Sequence, residues 1–122
     1  MGDRVAARGA RHPLEGTSVH RAIRARLRAI GPVDERASKS QIAFRRGRGF
    51  AYLWVPGMWL AKPAAGSVLS IALPRRIRSR RFKEVVHPSP RVWMHHLEIH
   101  TLADLDDEVV SWLRAAYEAA GT

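Results

Sequence analysis

Apolar residues recur at helical spacing near the start of the chain. The apolar positions of this first helix follow one another at intervals of four, four and three residues: Val19, Ile23, Leu27 and Ile30. These intervals place the four side chains on one helical face. Thr17 or Ser18 can cap the helix, and the Gly-Pro pair at residues 31–32 ends it.

A second helical pattern runs to the end of the chain. Its apolar positions are Leu102, Leu105, Val109, Trp112, Leu113, Ala116 and Ala120. Acidic residues fill the opening turns, where they favour the helix dipole. Thr101 with Asp104 resembles a short capping box, and Gly121 fits the C-terminal end of the helix.

Between the helices the pattern is typical of strands. We predict strands over residues 33–39, 41–45, 50–55, 67–73 and 92–100, and a further strand start at Val85 and Val86 before a turn at 87–90. The run Arg46-Gly47-Arg48-Gly49 predicts a hairpin turn. The expected fold class is α+β, an antiparallel sheet of about five strands with an N-terminal and a C-terminal helix packed on one face.

The hairpin register sorts side chains between the two sheet faces. If paired positions sum to 95, the apolar face contains Ile42, Phe44, Ala51, Leu53 and Val55. The other face then contains Gln41, Ala43, Arg45, Phe50, Tyr52 and Trp54, joined by Met94, His96, Glu98 and His100. His95 is expected on the apolar side, partly buried and hydrogen-bonded. Two short helices cover one face, so the other meets solvent, a partner subunit or the basic stretch after Pro74.

Composition narrows the class of protein. With 46% hydrophobic residues among 122, the chain suits one folded domain over residues 17–122, and the Gly-, Ala- and Arg-rich residues 1–16 are expected to form a flexible basic tail. The absence of cysteine excludes disulfides, thiolate nucleophiles and Cys-type zinc sites. The longest apolar stretch, residues 50–61, is shorter than the roughly 20 residues that span a bilayer. We therefore expect a cytoplasmic protein without membrane insertion.

The charge is large and uneven. The net charge is +10, and residues 93–122 contain one Arg against 6 acidic residues, so the rest of the chain is strongly basic. Such a chain favours polyanionic partners, which include nucleic acid, an anionic membrane surface and phosphorylated metabolites. The charge can also be purely compositional, because Arg outnumbers Lys 18 to 3.

Two groups of residues form the predicted anion site. Six of the nine residues from 75 to 83 are basic: Arg75, Arg76, Arg78, Arg80, Arg81 and Lys83. Arg binds phosphate through its planar fork, and a solvated loop is the alternative interpretation. On the sheet, Arg45, Tyr52 and Trp54 combine charge with aromatic rings that can stack on bases.

The spacing His96-x-Glu98-x-His100 is the candidate metal site. On a strand these three side chains point the same way, and two imidazoles with a carboxylate suit zinc or non-haem iron. A solvated polar strand face explains the same spacing, and no fourth ligand is evident.

Five blocks of sequence resemble the bacterial family catalogued as domain of unknown function 5655: Ser38–Arg46, Leu73–Arg76, Ser79–Lys83, Trp93–His96 and Trp112–Tyr117. The resemblance runs from about His12 to the C-terminus. It implies a small α+β domain, similar in layout to the frataxin-like YdhG group. Iron binding, proposed for that group, is not carried over because this chain lacks an acidic ridge.

The expected function is that of a small binding module. It would present an Arg/aromatic sheet face beside the basic residues 75–83 to nucleic acid, another polyanion or a phosphorylated ligand. No nucleotide-binding glycine pattern or paired acid/base set is present, so we expect no cofactor and favour a protein that is not an enzyme. The alternatives are a metal-binding protein and a structural homodimer without ligand.

Overall fold

Two helices flank a six-stranded antiparallel sheet in the computed structural model, which describes residues 12–56 and 66–122. The helices are α1 (Ser18–Ile30) and α2 (Asp107–Ala120). The strands are β1 (Asp34–Ala37), β2 (Ile42–Arg46), β3 (Arg48–Trp54), β4 (Ser67–Leu73), β5 (Phe82–Ser89) and β6 (Val92–Ile99). Their order across the sheet is β1-β2-β3-β4-β6-β5. The α+β class is confirmed, with six strands where about five were expected.

Both helix starts are fixed by local side chains. The Thr17 hydroxyl accepts a hydrogen bond from the His20 backbone N–H at the start of α1. α2 begins later than its apolar pattern predicted, because Leu102–Asp104 forms a separate short 3-10 helix with the predicted Thr101 capping box. The side chain of Asp106 caps α2 instead, accepting from the backbone N–H of Val109 at 3.1 Å.

The core lies between the helices and one face of the sheet. Buried side chains come from α1, α2 and every strand from β2 to β6, and the fully buried ones include Ile23, Leu27, Phe44, Leu53, Leu69, Ile71 and Leu113. The predicted hairpin register is confirmed, with Ile42 opposite Leu53 and Phe44 opposite Ala51.

A β-bulge corrects the predicted position of Phe50. The register shifts between Phe44 and Arg45, so that Arg45 pairs with Gly49 and Phe50 has no direct partner on β2. The extra residue turns Phe50 towards the helices, where it is 1% exposed and its ring meets Tyr117 edge-on at 5.6 Å. Phe50 is therefore a core residue and not part of the opposite sheet face.

β5 is longer than the predicted fragment at Val85 and Val86. It continues through His87 and Pro88 because it is an edge strand, where a residue without an N–H loses no hydrogen bond on the outer side. The chain turns after Ser89 instead, and the His87 ring stacks on Trp93 of β6 with 3.6 Å between centroids.

The N-terminal segment is described only in part. Residues 1–11 of the predicted tail lie outside the described residues. Residues 12–16 form a turn in which the Glu15 N–H bonds to the His12 carbonyl, and His12 is 3% exposed. The folded unit thus extends at least to His12. Within the described ranges, no helix is both long and apolar enough to cross a membrane.

Candidate functional site

The basic segment (residues 75–83) crosses the sheet on the same side as the helices. It leads from β4 past β6 to the edge strand β5. The backbone N–H of Ile77 donates to Nε2 of His95, with 2.9 Å between the nitrogens. His95 is fully buried and lies opposite Ile71 in the helix-covered layer, so this bond fixes the side on which the segment lies.

Two further contacts fix the path of the basic segment. The Ser79 carbonyl accepts from the Phe82 N–H at 3.3 Å, while its hydroxyl accepts from the Arg81 N–H at 3.1 Å. The Phe82 ring is buried with its centroid 4.5 Å from that of Trp112 on α2. An irregular stretch of chain is therefore held at several points along its length.

Arg81 is a structural clamp within this segment. Its guanidinium donates to the carboxylates of Asp106 and Glu108 at 3.0 Å and to the Asp104 carbonyl at 2.9 Å. The hydrogen bond from Arg81 holds the pKa of the Asp106 carboxyl below its usual range. Arg81 thus neutralises the acidic start of α2, and its role in anion binding stays a prediction.

The other arginines of the basic segment are free. Four side chains point to solvent and have neither a hydrogen bond nor an ion pair within residues 12–56 and 66–122: Arg75, Arg76, Arg78 and Arg80. Lys83 is 65% exposed, and its Nζ lies 3.9 Å from Glu98, a contact on the other side of the sheet. The four arginines form the strongest cluster of unpaired charge on the segment.

Two arginines of the hairpin turn are also used internally. Arg46 donates to the Tyr117 carbonyl at 3.0 Å, and its guanidinium carbon lies 4.2 Å from the centre of the Tyr117 ring. Arg48 donates to the Ala119 carbonyl at 2.7 Å. Both cations meet the negative end of the α2 dipole, so they tie the hairpin to the helix.

A third internal set joins α1 to the edge strand β1. The Glu35 carboxylate is 2.7 Å from Nε2 of His20 and accepts two hydrogen bonds from Arg24. Burial raises the pKa of Glu35, but the hydrogen bonds from Arg24 and His20 outweigh it and hold that pKa below its usual range. The carboxylate is therefore a structural anchor for a strand of only four residues.

The predicted aromatic residues lie on the opposite face of the sheet, called here the open face. Tyr52 is paired with Ala43 and Ser70, and its hydroxyl lies over Gly49, where a Cβ would be 2.2 Å away. Trp54 lies one step further along the same strand. Both helices and the basic segment pack on the other face, so the structure does not bring Tyr52 and Trp54 beside the basic segment. The prediction of one continuous Arg/aromatic surface is wrong, because the β4–β5 connection passes over the helix side.

A chain of hydrogen bonds crosses the centre of the open face. Trp54 Nε1 donates to Ser70 Oγ at 2.8 Å, and Ser70 Oγ lies 2.6 Å from Nδ1 of His96. The Trp54 and His96 rings meet edge-on at 5.8 Å. Burial lowers the pKa of His96, with an opposing effect from Glu84. With Tyr52 and Met94, these side chains line a shallow groove of about 520 Å³.

Charges on the open face are few and balanced. The strand pairing and one ion pair place three cations and three carboxylates there: Arg36, Arg45, Lys83, Asp34, Glu84 and Glu98. The Arg45 guanidinium also donates to the Gly47 carbonyl at 3.1 Å. Within the described strands, the open face therefore lacks the excess of positive charge that a nucleic-acid platform needs.

The predicted metal ligands do not converge. His96 is bonded to Ser70, whereas Glu98 lies 3.6 Å from Nε2 of His100. His100 falls after the end of β6 and is 53% exposed. In the described part of the chain, no three His, Asp or Glu side chains are placed to hold a metal ion.

Sequence reasoning identified the basic segment but missed how it is held. The acidic residues in the opening turns of α2 were the available signal for an internal cation partner. They were interpreted only through the helix dipole, whereas Arg81 donates to two of the same carboxylates. His95 was expected to be partly buried and hydrogen-bonded; the hydrogen bonds are confirmed, and the ring is fully buried. Nothing in the sequence pattern distinguished Ser70 from other strand residues.

Comparison with known proteins identifies a family. The model of the family described as Domain of unknown function (DUF5655) matches residues 8–120, which confirms the resemblance found in the sequence. No curated protein and no solved structure matches the chain.

Proposed function

Because the chain belongs to the DUF5655 family, whose description assigns no activity, we propose a function from geometry: the basic segment binds the phosphate backbone of nucleic acid. One observation carries the proposal. Four exposed arginines, which have no hydrogen-bond or ion-pair partner among residues 12–56 and 66–122, lie on a stretch of chain that hydrogen bonds and core packing hold in place. The protein acts as a binding module.

The chemistry of these arginines suits phosphate. Each guanidinium offers a planar fork of donors that matches two phosphate oxygens, and it stays charged at any physiological pH. Several other arginines of this chain are already bonded to carboxylates or helix carbonyls, as Arg24, Arg46 and Arg81 are. The cations of the basic segment retain their full charge for a partner.

Pre-ordering of the segment favours binding. A flexible loop must lose conformational freedom when its side chains engage a ligand, and that loss reduces affinity. Here Ile77 is bonded to His95, and Arg81 is bonded to the start of α2. Arg78 and Arg80 lie between or beside these fixed points, so less ordering remains to be done on binding.

The position of the aromatic residues bears on which nucleic acid is bound. Stacking of unpaired bases on Tyr52 and Trp54 would require a strand that reaches the open face, on the opposite side of the sheet from the basic segment. Contacts confined to the backbone do not read base sequence. We therefore expect affinity that does not depend on base sequence and that is at least as high for duplex, whose charge density is greater, as for single strands of equal length.

The test is a fluorescence-anisotropy titration with labelled duplex and single-stranded oligonucleotides. Affinity should fall by orders of magnitude between roughly 50 and 200 mM salt, as expected for several phosphate contacts. The double variant Arg78→Glu/Arg80→Glu should abolish binding at the higher salt. The matched control is Arg21→Glu/Arg28→Glu, which makes the same charge change at two exposed positions of α1.

The control decides how the result is interpreted. If both double variants lose binding equally, net charge alone explains the affinity and the basic segment is not a site. Absence of binding by the wild-type protein at low salt would overturn the proposal outright. A strong preference for single strands, lost in Trp54→Ala, would move the site to the open face.

A further inference from the structure

The open face has a row of side chains that runs across all six strands. Successive pairings place these residues opposite one another, from one sheet edge to the other: Arg36, Ala43, Tyr52, Ser70, His96 and Glu84. Residues directly opposite in a sheet share a face. The row therefore begins with a cation at β1 and ends with a carboxylate at β5. The four side chains between them alternate between small and large.

A second copy of this face is complementary to the first in one orientation. A two-fold axis parallel to the strands, between β3 and β4, reverses the strand order of the second copy above the first. β1 then faces the partner's β5, β2 faces the partner's β6, and β3 faces the partner's β4. Arg36 consequently meets the partner's Glu84, and Glu84 meets the partner's Arg36.

Side-chain size follows the same symmetry. The large ring of Tyr52 faces the partner's Ser70, and Trp54 faces the partner's Val68, because these residues are cross-strand neighbours on β3 and β4. Ala43 in the same way faces the partner's His96. In these three pairs the larger side chain meets a smaller one, which favours close packing of two sheets about 10 Å apart.

We propose that two copies of this chain associate face to face through their open faces, about a two-fold axis parallel to the strands. A two-fold arrangement makes the interface isologous, so the Arg36–Glu84 pair forms twice. Aligned sheets pack with their strands about 30° apart, and the long side chains of Arg36 and Glu84 span the offset at the edges.

The alternative two-fold axis, perpendicular to the strands, is unfavourable. It would place β1 on the partner's β1 and β5 on the partner's β5, bringing Arg36 near the partner's Arg36 and Glu84 near the partner's Glu84. Like charges across an interface cost affinity. The other charges of the open face do not change the preference for the axis parallel to the strands, because they are already paired within one copy. Lys83 is near Glu98, and Asp34 lies opposite Arg45.

This association is independent of the proposed nucleic-acid binding. Apart from Lys83, the basic segment lies on the helix side of the sheet, so its four free arginines stay exposed when two open faces meet. A dimer presents two basic segments on its outer surfaces. Either proposal can fail while the other holds.

The test is sedimentation equilibrium over roughly 1 to 200 µM protein, because dimerisation depends on protomer concentration. The wild type should show dimer mass at the upper end. Arg36→Glu and Glu84→Arg should each raise the dissociation constant roughly tenfold or more. The combined variant Arg36→Glu/Glu84→Arg restores opposite charges across the axis and should return the constant towards the wild-type value.

Two further variants complete the design. Arg21→Glu changes the same charge on α1 and should leave the mass unchanged. Trp54→Lys places a charge at the centre of the interface and should give monomer, with far-UV circular dichroism confirming that it folds. A wild type that stays monomeric throughout overturns the proposal, and so does a combined variant that dimerises no better than either single one.

Discussion

Nε2 of His95 accepts the backbone N–H of Ile77 at 2.9 Å, while Nδ1 of the same ring lies 2.9 Å from the Trp93 carbonyl oxygen. The two bonds define one tautomer, neutral with its proton on Nδ1. A buried imidazole in β6 therefore holds the middle of the basic segment. Protonation would place a second N–H against that of Ile77 and break the bond.

Acidification should weaken the fold around His95. Burial lowers the pKa of His95, helped by nearby Arg76 and His96 and opposed by the carbonyls of Trp93 and Ile71. A histidine whose pKa is lowered by folding contributes stability above its unfolded value of about 6.5, and that stability is lost as pH falls towards the folded value. The free energy of unfolding should therefore decrease between about pH 7.5 and 5.5, with faster amide exchange at Ile77 after correction for intrinsic rates.

His95→Gln is the variant that isolates this titration. The pH slope of stability should become shallower in it, whereas His87→Gln, at an exposed position, should keep the wild-type slope. A slope that is unchanged by His95→Gln would assign the acid sensitivity to His12 or His96, whose pKa values burial also lowers.

Neighbouring arginines should separate stability from binding. Arg81→Ala removes the clamp on Asp106 and Glu108, so the melting temperature should fall. Arg80→Ala removes a side chain without an internal partner, so the melting temperature should change little while nucleic-acid affinity drops severalfold. Thermal melts and anisotropy on the two variants check this, and equal melting temperatures would contradict the clamp.

Tyr117 should be sensitive to loss of its hydroxyl. That group donates to the Pro32 carbonyl at 2.8 Å, in a residue that is 6% exposed. Tyr117→Phe should cost about 1 kcal/mol of unfolding free energy, because one buried hydrogen bond is lost and a carbonyl is left unpaired. Tyr52→Phe is the matched change on the open face, and urea titration should show almost no loss.

Gly31 should not tolerate a side chain. A Cβ there would lie 2.3 Å from the Tyr117 hydroxyl oxygen, which is held by its bond to Pro32. Gly31→Ala should therefore destabilise the protein by roughly 1–3 kcal/mol through overpacking. Gly66→Ala has no atom within 4 Å of its Cβ and serves as the control. Equal stability of the two variants in urea would show that Tyr117 moves aside freely.

The fold was largely predictable because its signals are local. Thr17 and Gly31 mark the ends of α1 within one or two residues of the apolar pattern, and the hairpin around Gly47 fixes its own register. Phe50 was assigned to the wrong face because the register shifts by one residue between Phe44 and Arg45, and no alternation pattern contains such a shift.

The candidate site was less predictable because the sequence does not show which arginines are paired within the fold and which are free. Arg81 donates to the Asp106 carboxylate, 25 residues further along the chain, and Arg46 donates to the Tyr117 carbonyl, 71 residues further along. Such partners depend on the path of the β4–β5 connection across the sheet. Without that path, the basic segment and Tyr52 could not be assigned to opposite sides.

The two edges of the sheet limit how the protein can assemble. β1 has four residues, and β5 contains Pro88 and two register irregularities, so neither edge offers a long regular row of free backbone groups. Strand addition from a second chain is disfavoured at both edges, which protects the protein against open-ended, amyloid-like growth. The proposed two-fold contact between open faces, in contrast, is complete in the dimer and leaves no open face for a third copy.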